Sequence, residues 1–147
     1  MNVVLVTGGF DPIHSGHLAY FNAAKNLGDI LVVGLNSDSW LTRKKGKPFM
    51  SLNERMKIIK ELKMVDYVIT YNDDDNSSKE AIRHTRNLFP KAKIIFANGG
   101  DRGGKNTLEM NYKDEGELEF AVGVGGTNKL NSSSLILENW VNFKNGY

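Results

Sequence analysis

The sequence predicts an α/β fold built on a mostly parallel, five-stranded sheet. The first observation behind this prediction is a series of short apolar runs, rich in β-branched residues, with the length of strands buried on both faces. The second is the helical spacing of apolar residues in the segments between them, so that strands and helices alternate as in βαβ units. The predicted strands are Val3–Val6, Ile30–Leu35, Tyr67–Thr70, Ile94–Ala97 and Glu117–Val122.

Four longer helices are predicted along the chain. The first buries Leu18, Phe21, Ala24 and Leu27 and ends at Gly28, because glycine fits the left-handed conformation after a helix. The second begins with the capping box Ser51-Leu52-Asn53-Glu54 and extends to about Lys63. The third covers Ser78 to Phe89 and is stopped by Pro90, and the last follows Ser132-Ser133-Ser134.

Length and composition restrict the class of protein. A chain of 147 residues is long enough to bury a sizeable core, and we expect a single domain over residues 1–147. A net charge of +2 is too small to indicate nucleic acid or a membrane as a partner. No cysteine is present, which excludes disulfides and thiolate metal sites. The chain begins directly with a strand and has no apolar run that would span a bilayer, so we expect a cytoplasmic protein.

The first strand leads into a turn that carries two histidines. His14 falls in the turn and His17 at the helix start, on the sheet edge where open α/β folds bind their ligands. A helix N-terminus offers unpaired N–H groups, and Gly16 permits the close approach of a ligand. Two imidazoles there suit a phosphate chain whose oxygens gain charge during a reaction. The alternative is a turn histidine and a capping histidine without chemistry.

Gly8-Gly9-Phe10-Asp11 followed by His14-Ser15-Gly16-His17-Leu18 resembles the signature of the cytidylyltransferase-like nucleotidyltransferases. This family includes glycerol-3-phosphate cytidylyltransferase and the heptose-phosphate adenylyltransferases. The resemblance implies a Rossmann-like three-layer sandwich that transfers a nucleotidyl group from CTP or ATP to a phosphorylated alcohol or sugar and releases pyrophosphate. It also implies a homodimer. The residues it assigns are His14 and His17 to catalysis and Gly8, Gly9, Phe10, Asp11 and Gly16 to nucleotide binding.

The second strand is followed by Asn36-Ser37-Asp38 and then by a cationic run, residues 42–48. Asp38 is interpreted either as the cap of a short helical turn or as a ligand of the acceptor. A charge run is usually a solvated loop, but flexible lysines beside the first strand would neutralise a triphosphate. The resemblance implies a catalytic lysine in this predicted loop, and Lys44 and Lys45 both match its place.

Two cations near the second predicted helix are candidates for binding the acceptor. Arg55 falls in the first turn, where a cation opposes the helix dipole, so we expect either an external anion or a surface salt bridge. The resemblance places an arginine that faces phosphate at Arg55, and Lys63 stands where the related cytidylyltransferases have an arginine. After the third strand, residues 73–75 are three aspartates without the spacing of a calcium loop, and we expect them to face solvent.

The last predicted site residues follow the fourth and fifth strands. Glycines at 99 and 100 permit close approach of a nucleoside, and Asp101 would accept from ribose hydroxyls, although a tight turn is the alternative. Serine hydroxyls at a helix start are ordinary caps, and with the free N–H groups they also form an anion cradle. The long loop of residues 103–116 is a lid, a subunit contact or a surface excursion. The residues that the resemblance assigns to nucleotide binding here are Gly99, Gly100, Asp101, Lys129, Ser132, Ser133 and Ser134, with Lys129 standing near the place of a family arginine.

The chemistry indicated is direct attack by an acceptor phosphate on the α-phosphorus of a nucleoside triphosphate. No residue pattern indicates a covalent nucleophile, and no P-loop or dinucleotide fingerprint is present. Catalysis would consist of positioning and charge stabilisation, with Mg²⁺ held mainly by the nucleotide and water and by no dedicated protein site. Two alternatives stay open: a catalytically silent nucleotide-binding regulator on the same fold, and a mononucleotide adenylyltransferase.

Overall fold

The computed structural model describes residues 1–99, 109, 112–125 and 132–146. Within these ranges a five-stranded sheet has the order β3-β2-β1-β4-β5, and every neighbouring pair is parallel. The strands are β1 (Asn2–Gly8), β2 (Ile30–Leu35), β3 (Tyr67–Thr70), β4 (Lys93–Gly99) and β5 (Leu118–Val124). The helices are α1 (Ser15–Lys25), α2 (Asp38–Lys45), α3 (Leu52–Lys60), α4 (Lys79–Leu88) and α5 (Ser133–Lys144).

Helices cover both faces of the sheet, so the predicted Rossmann-like three-layer arrangement is confirmed. Side chains of β1 alternate between two buried clusters, with Val4 and Val6 in one and Val3 and Leu5 in the other. The first cluster includes Phe21 of α1 and Ile59 of α3, and the second includes Ala81 and Ile82 of α4. Because β1 is buried on both faces, it has the continuous apolar sequence from which it was predicted.

The strand order places a topological switch point beside β1. The chain proceeds from β1 to β2 and β3 on one side, and then crosses to β4 and β5 on the other. In such a sheet the crevice for ligands lies at the carboxyl ends of the strands around this switch point. The two histidines follow the carboxyl end of β1 and therefore lie at this crevice.

The end of the first helix differs from the prediction. α1 ends at Lys25 with Asn26 as its C-cap, and Leu27 is 41% exposed instead of buried. Gly28 is not left-handed; a Cβ atom there would lie 2.8 Å from the carbonyl oxygen of Asn2. Glycine is thus required because the turn approaches β1 closely.

The cationic run also differs from the prediction, because residues 42–45 belong to helix α2 instead of a loop. Ser37, not Asp38, caps this helix: its hydroxyl accepts from the N–H of Trp40 at 3.0 Å. Gly46, with φ of 91°, ends it. Helix α3 ends at Lys60, one turn earlier than expected. Across the described ranges, no helix is long and apolar enough to cross a bilayer.

Candidate active site

The side chains of both histidines form the N-terminal cap of helix α1. The N–H of Gly16 donates to Nδ1 of His14 at 3.0 Å, and the N–H of His14 donates to Nδ1 of His17 at 3.2 Å. The rings stack with their centroids 3.8 Å apart. A nitrogen that accepts a hydrogen bond carries a lone pair, so a neutral ring in this arrangement has its proton on Nε2. The capping role and a pair of Nε2–H donors are thus compatible in one structure.

His17 is held as a neutral ring. Burial is the larger cause and the electrostatic interaction with the neighbouring His14 the smaller one; together they lower the pKa of His17 from 6.5 to about 3. The His17 and Phe10 rings form a T-shaped pair with centroids 5.0 Å apart, and Phe10 forms another T-shaped pair with Phe21. At neutral pH, His17 is therefore a fixed hydrogen-bond donor at Nε2 and not a cation.

The glycines of the turn make room for side chains of the protein itself. Phe10 is buried with φ of 52°, and a Cβ atom on Gly8 would lie 2.8 Å from its ring. A Cβ atom on Gly9 would lie 2.8 Å from Cδ2 of Leu41 and 3.6 Å from the ring of Trp40. The bare backbone of residues 8 and 9 thus lets the core pack beneath His17, and the side chain of Phe10 belongs to that core.

Asp11 ties the histidine turn to the segment before α3. Its carboxylate is buried and accepts from the N–H groups of Phe49 at 2.6 Å and Met50 at 2.7 Å. Lys45 pairs with it at 3.2 Å and also donates to its carbonyl. Every oxygen of Asp11 is thus engaged by the protein, which makes its role one of anchoring. Its predicted contact with nucleotide stays a prediction.

The two candidate lysines have different surroundings. Lys45 is engaged by buried Asp11. The ammonium of Lys44 lies 4.9 Å from the centroid of the Trp40 ring, a cation–π distance, and that ring borders Gly9 at the start of the histidine turn. Helix α2 thus carries Lys44 beside the crevice while Lys45 braces the turn.

Arg55 does not face an external phosphate or solvent, in contrast to the prediction. Its side chain is 0% exposed. Nη1 donates to the carbonyls of Gly9 at 2.9 Å and Asn36 at 2.8 Å, and Nε donates to Met50. Nη2 pairs with Asp38 at 2.8 Å. Arg55 joins the ends of β1 and β2, and these carbonyls offset the cost of burying its charge. Asp38 is partly exposed beside it, and its contact with the acceptor stays a prediction.

Lys63 lies at the wrong edge of the sheet for the predicted role. It is exposed in the connection between α3 and β3, so it precedes the amino end of a strand. Three residues later, the N–H of Asp66 donates to the carbonyl of Leu31, near the beginning of β2. The histidines follow the carboxyl end of β1, and in a parallel sheet these two edges are opposite. Within this chain, Lys63 is therefore separated from the histidine turn by the length of the strands.

The serines at the start of α5 lie against the histidine turn. The hydroxyl of Ser133 donates to the carbonyl of Pro12 at 2.7 Å. Ser132 is the N-cap and accepts from the N–H of Leu135, and Ser134 is exposed. Two helix N-termini, those of α1 and α5, are thus held at one place, and their partial positive charges favour an anion there.

The end of β4 contributes one predicted residue and one that sequence reasoning missed. Gly99 ends the strand, and a Cβ atom there would meet nothing within 4 Å. Asn98 is 1% exposed, yet neither Nδ2 nor Oδ1 has a hydrogen-bond partner among the described residues. A polar residue closing an apolar strand was the only signal for it. Gly100, Asp101 and Lys129 lie outside the described residues, as does most of the loop 103–116.

Asp73 is a second residue that was missed. Of the three aspartates predicted to face solvent, Asp74 and Asp75 do, but Asp73 is 2% exposed and accepts hydrogen bonds from Ser37 and Asn36. Its partners follow β2, on another part of the chain, which a local charge pattern cannot indicate. Among the described residues no cluster of His, Asp or Glu side chains has the arrangement of a metal site.

Comparison with known proteins agrees with this architecture. Residues 5–117 match the family model described as cytidylyltransferase-like. The chain is 46% identical over 124 residues to the bifunctional protein HldE of Helicobacter pylori strain HPAG1, covering 82% of this chain and 25% of that protein. It is 36% identical over 129 residues to the protein of the same name from Campylobacter concisus, covering 85% and 25%. The chain thus spans about a quarter of the length of the curated relatives it matches.

A solved structure has the same fold. It is described as the lipopolysaccharide core biosynthesis protein from Thermoplasma volcanium GSS1, with a TM-score of 0.67 and 28% identity, covering 89% of this chain and 99% of that one. The family model alone spans more than half of the chain. The chain therefore belongs to the cytidylyltransferase-like family of nucleotidyltransferases.

Proposed function

We propose that this chain transfers an adenylyl group from ATP to the phosphate of a phosphorylated sugar and releases pyrophosphate. The observation that carries the proposal is the pair of histidines that accept through Nδ1 at the N-terminus of α1. In this proposal the Nε2–H groups of both rings and the dipole of α1 act on one anion, the phosphate chain of ATP. Donors fixed before the reaction cost no reorganisation when charge develops on the α- and β-phosphate oxygens.

The acceptor phosphate attacks the α-phosphorus of ATP directly in this proposal. A new bond forms between the acceptor oxygen and the α-phosphorus, while the bond to the bridging oxygen of the β-phosphate breaks. The electron pair of that bond leaves with pyrophosphate. Because the attacking phosphate is already an anion, the protein supplies position and charge stabilisation and no general base.

Three parts of the described site have roles in this step. His14 and His17 donate to phosphate oxygens through Nε2. Lys44 draws charge towards the leaving pyrophosphate as a point charge, whereas Lys45 holds Asp11. The N-terminus of α5, with Ser133 bonded to the histidine turn, adds donors for the same phosphates.

Mg²⁺ enters as part of the substrate, the magnesium complex of the triphosphate. The described residues offer no carboxylate cluster for it, because Asp11 is engaged by Lys45 and Asp38 by Arg55. These residues do not fit a resident ion held by the protein. Mg²⁺ usually keeps several waters and substrate phosphates as ligands, which agrees with this proposal.

The choice of donor and acceptor is supported by the relatives. A neighbour named for lipopolysaccharide core biosynthesis fits an acceptor that carries a sugar. The motif Asn36-Ser37-Asp38 also resembles the heptose-phosphate adenylyltransferases, which favours ATP over CTP. A homodimer and a cytoplasmic location are further parts of the proposal, and both rest on the family resemblance and on the expectations from the sequence.

Pyrophosphate release is the test. Purified protein with Mg²⁺ is assayed with ATP, CTP, GTP or UTP against a panel of phosphorylated sugars, phosphorylated alcohols and mononucleotides. The proposal predicts release with ATP and a sugar phosphate, and the His17→Asn variant serves as the matched control. Release with CTP and glycerol phosphate would replace the substrates but keep the reaction. Tight nucleotide binding without release across the panel would support the silent regulator, and no nucleotide binding would overturn both.

A further inference from the structure

Asp73 holds the N-terminus of the helix that carries Lys44. One carboxylate oxygen accepts from the N–H of Ser37 at 2.8 Å, and the other accepts from its hydroxyl at 2.7 Å. The amide of Asn36 donates to Asp73 at 3.1 Å. Asp73 is buried, and these donors compensate for taking its charge out of water. Three donors on one buried carboxylate fix the two residues that precede α2.

The same segment also holds the other end of the helix. Arg43, in the last turn of α2, donates through Nη2 to the carbonyl of Asp73 at 2.8 Å. Its guanidinium also donates to the side-chain oxygen of Asn76 at 3.1 and 3.2 Å. Both ends of α2 are therefore fastened to residues 73–76.

The helix has little apolar packing of its own; besides its contacts with residues 73–76, Asp38 at its start pairs with Arg55 and Lys45 at its end pairs with Asp11. It has eight residues, fewer than an isolated helix needs to be stable in water. Leu41 is its only buried residue. The first-turn N–H of Trp40 donates to the Ser37 hydroxyl that Asp73 orients, and one turn later Lys44 lies against the Trp40 ring. The position of the Lys44 ammonium thus depends on Asp73 through the cap.

We propose that Asp73 is a positioning residue for nucleotidyl transfer: it fixes the cap of α2 and thereby sets where Lys44 meets the triphosphate. This inference rests on the proposed function. The Asp73 carboxylate accepts its hydrogen bonds from Asn36 and Ser37, so we assign it no direct contact with either substrate. Because positioning errors of about 1 Å can cost about 100-fold in rate, a loosened cap should reduce turnover by about 10- to 100-fold.

The first test compares Asp73→Asn with Asp74→Asn. The N–H and the hydroxyl of Ser37 bind different oxygens of Asp73, and an amide replaces one of these oxygens by an NH₂ group, which cannot accept. Asp74 is exposed one residue further on, so its substitution removes the same charge without touching the cap. Asp73→Asn should lower kcat with little change in the KM of the acceptor, and Asp74→Asn should leave both unchanged. Equal effects of the two substitutions, or an unchanged kcat in Asp73→Asn, would overturn the proposal.

The second test is a double-mutant cycle with Lys44→Met. If Asp73 acts through Lys44, Asp73→Asn should cost at most about 2-fold in a chain that already lacks the ammonium. If the loss of kcat in the double variant equals the product of the losses in the two single variants, the proposal is contradicted. Should Asp73→Asn fail to fold, Ser37→Ala breaks the same link from the other side and is expected to lower kcat in the same, Lys44-dependent way.

A third measurement does not depend on activity. Amide hydrogen exchange of residues 38–45 should become faster in Asp73→Asn and stay unchanged in Asp74→Asn, with far-UV circular dichroism as the check on folding. If the wild type shows no transfer but exchange changes as stated, the proposed function fails while Asp73 still holds α2. If transfer occurs and exchange is unaffected by Asp73→Asn, the positioning role fails and the enzyme stands.

Discussion

The backbone N–H of His14 donates to Nδ1 of His17 while Nδ1 of His14 accepts from the N–H of Gly16. The two rings thereby satisfy N–H groups that a helix start would otherwise leave without partners. The same bonds fix which nitrogen of a neutral ring carries the proton. Helix capping and the preparation of two Nε2–H donors are therefore one arrangement, and the function of the site depends on both.

A pH-dependent contribution to stability follows from His17. The pKa of His17 is about 3 in the folded chain and near 6.5 in the unfolded chain. Between these pH values the ring is protonated in the unfolded chain and neutral in the folded chain. The contribution is present above pH 6.5 and is lost as the pH falls towards 3, by at most about 1.4 kcal/mol per pH unit. Urea unfolding between pH 7 and 4 should show a steeper loss in the wild type than in His17→Asn. Parallel curves would mean that the ring is not buried as a neutral group.

The two lysines of α2 should separate in their effects. Lys45→Met leaves the buried carboxylate of Asp11 without its cation and should lower the free energy of unfolding by about 1–3 kcal/mol. Lys44→Met should leave stability within about 0.5 kcal/mol but reduce the rate of pyrophosphate release by about 100-fold or more. Thermal unfolding and turnover of both variants measure this split. The reverse pattern would assign the catalytic role to Lys45.

Arg55 should be essential for stability. Arg55→Met leaves the carbonyls of Gly9, Asn36 and Met50 without their donor inside the protein and should cost about 3 kcal/mol or more in unfolding free energy. The control is Arg83→Met, since Arg83 forms an exposed pair and should cost less than about 1 kcal/mol. Chemical denaturation of the two variants decides the matter; similar small losses would show that the guanidinium is not enclosed.

Asn98 should reveal a conflict between stability and activity. Its buried amide has no partner among the described residues, so Asn98→Leu should leave the unfolding free energy unchanged or raise it by about 1 kcal/mol. The described packing does not pair this amide, and it lies at the carboxyl end of β4, where the ligand crevice is. We therefore expect the amide to serve the bound substrate, and turnover should fall in Asn98→Leu. Calorimetry and the pyrophosphate assay test both halves. A loss of stability greater than about 1 kcal/mol would indicate that the amide is already paired, with an ordered water as the simplest partner.

The sheet could be predicted because its central strands, such as β1, are buried on both faces and have continuous apolar sequences. Helix α2 could not, since a cationic run is usually a loop; here Ser37 caps it and its last-turn cations favour the dipole. The burial of Arg55 depends on carbonyls from three separate segments, which no local pattern shows. The position of Lys63 was available from the sequence, because a residue just before a parallel strand lies at its amino end.

The kcat and the Kd for ATP of the wild type and His17→Asn test the central claim most directly. An Asn side-chain oxygen can replace Nδ1 as the acceptor for His14, so this substitution keeps the cap and removes the Nε2–H donor. We predict a loss of about 100- to 1,000-fold in kcat with a change in Kd of less than about 5-fold, the pattern of an interaction made in the transition state. Equal losses in both quantities, or an unchanged kcat, would contradict the catalytic role of the histidine pair.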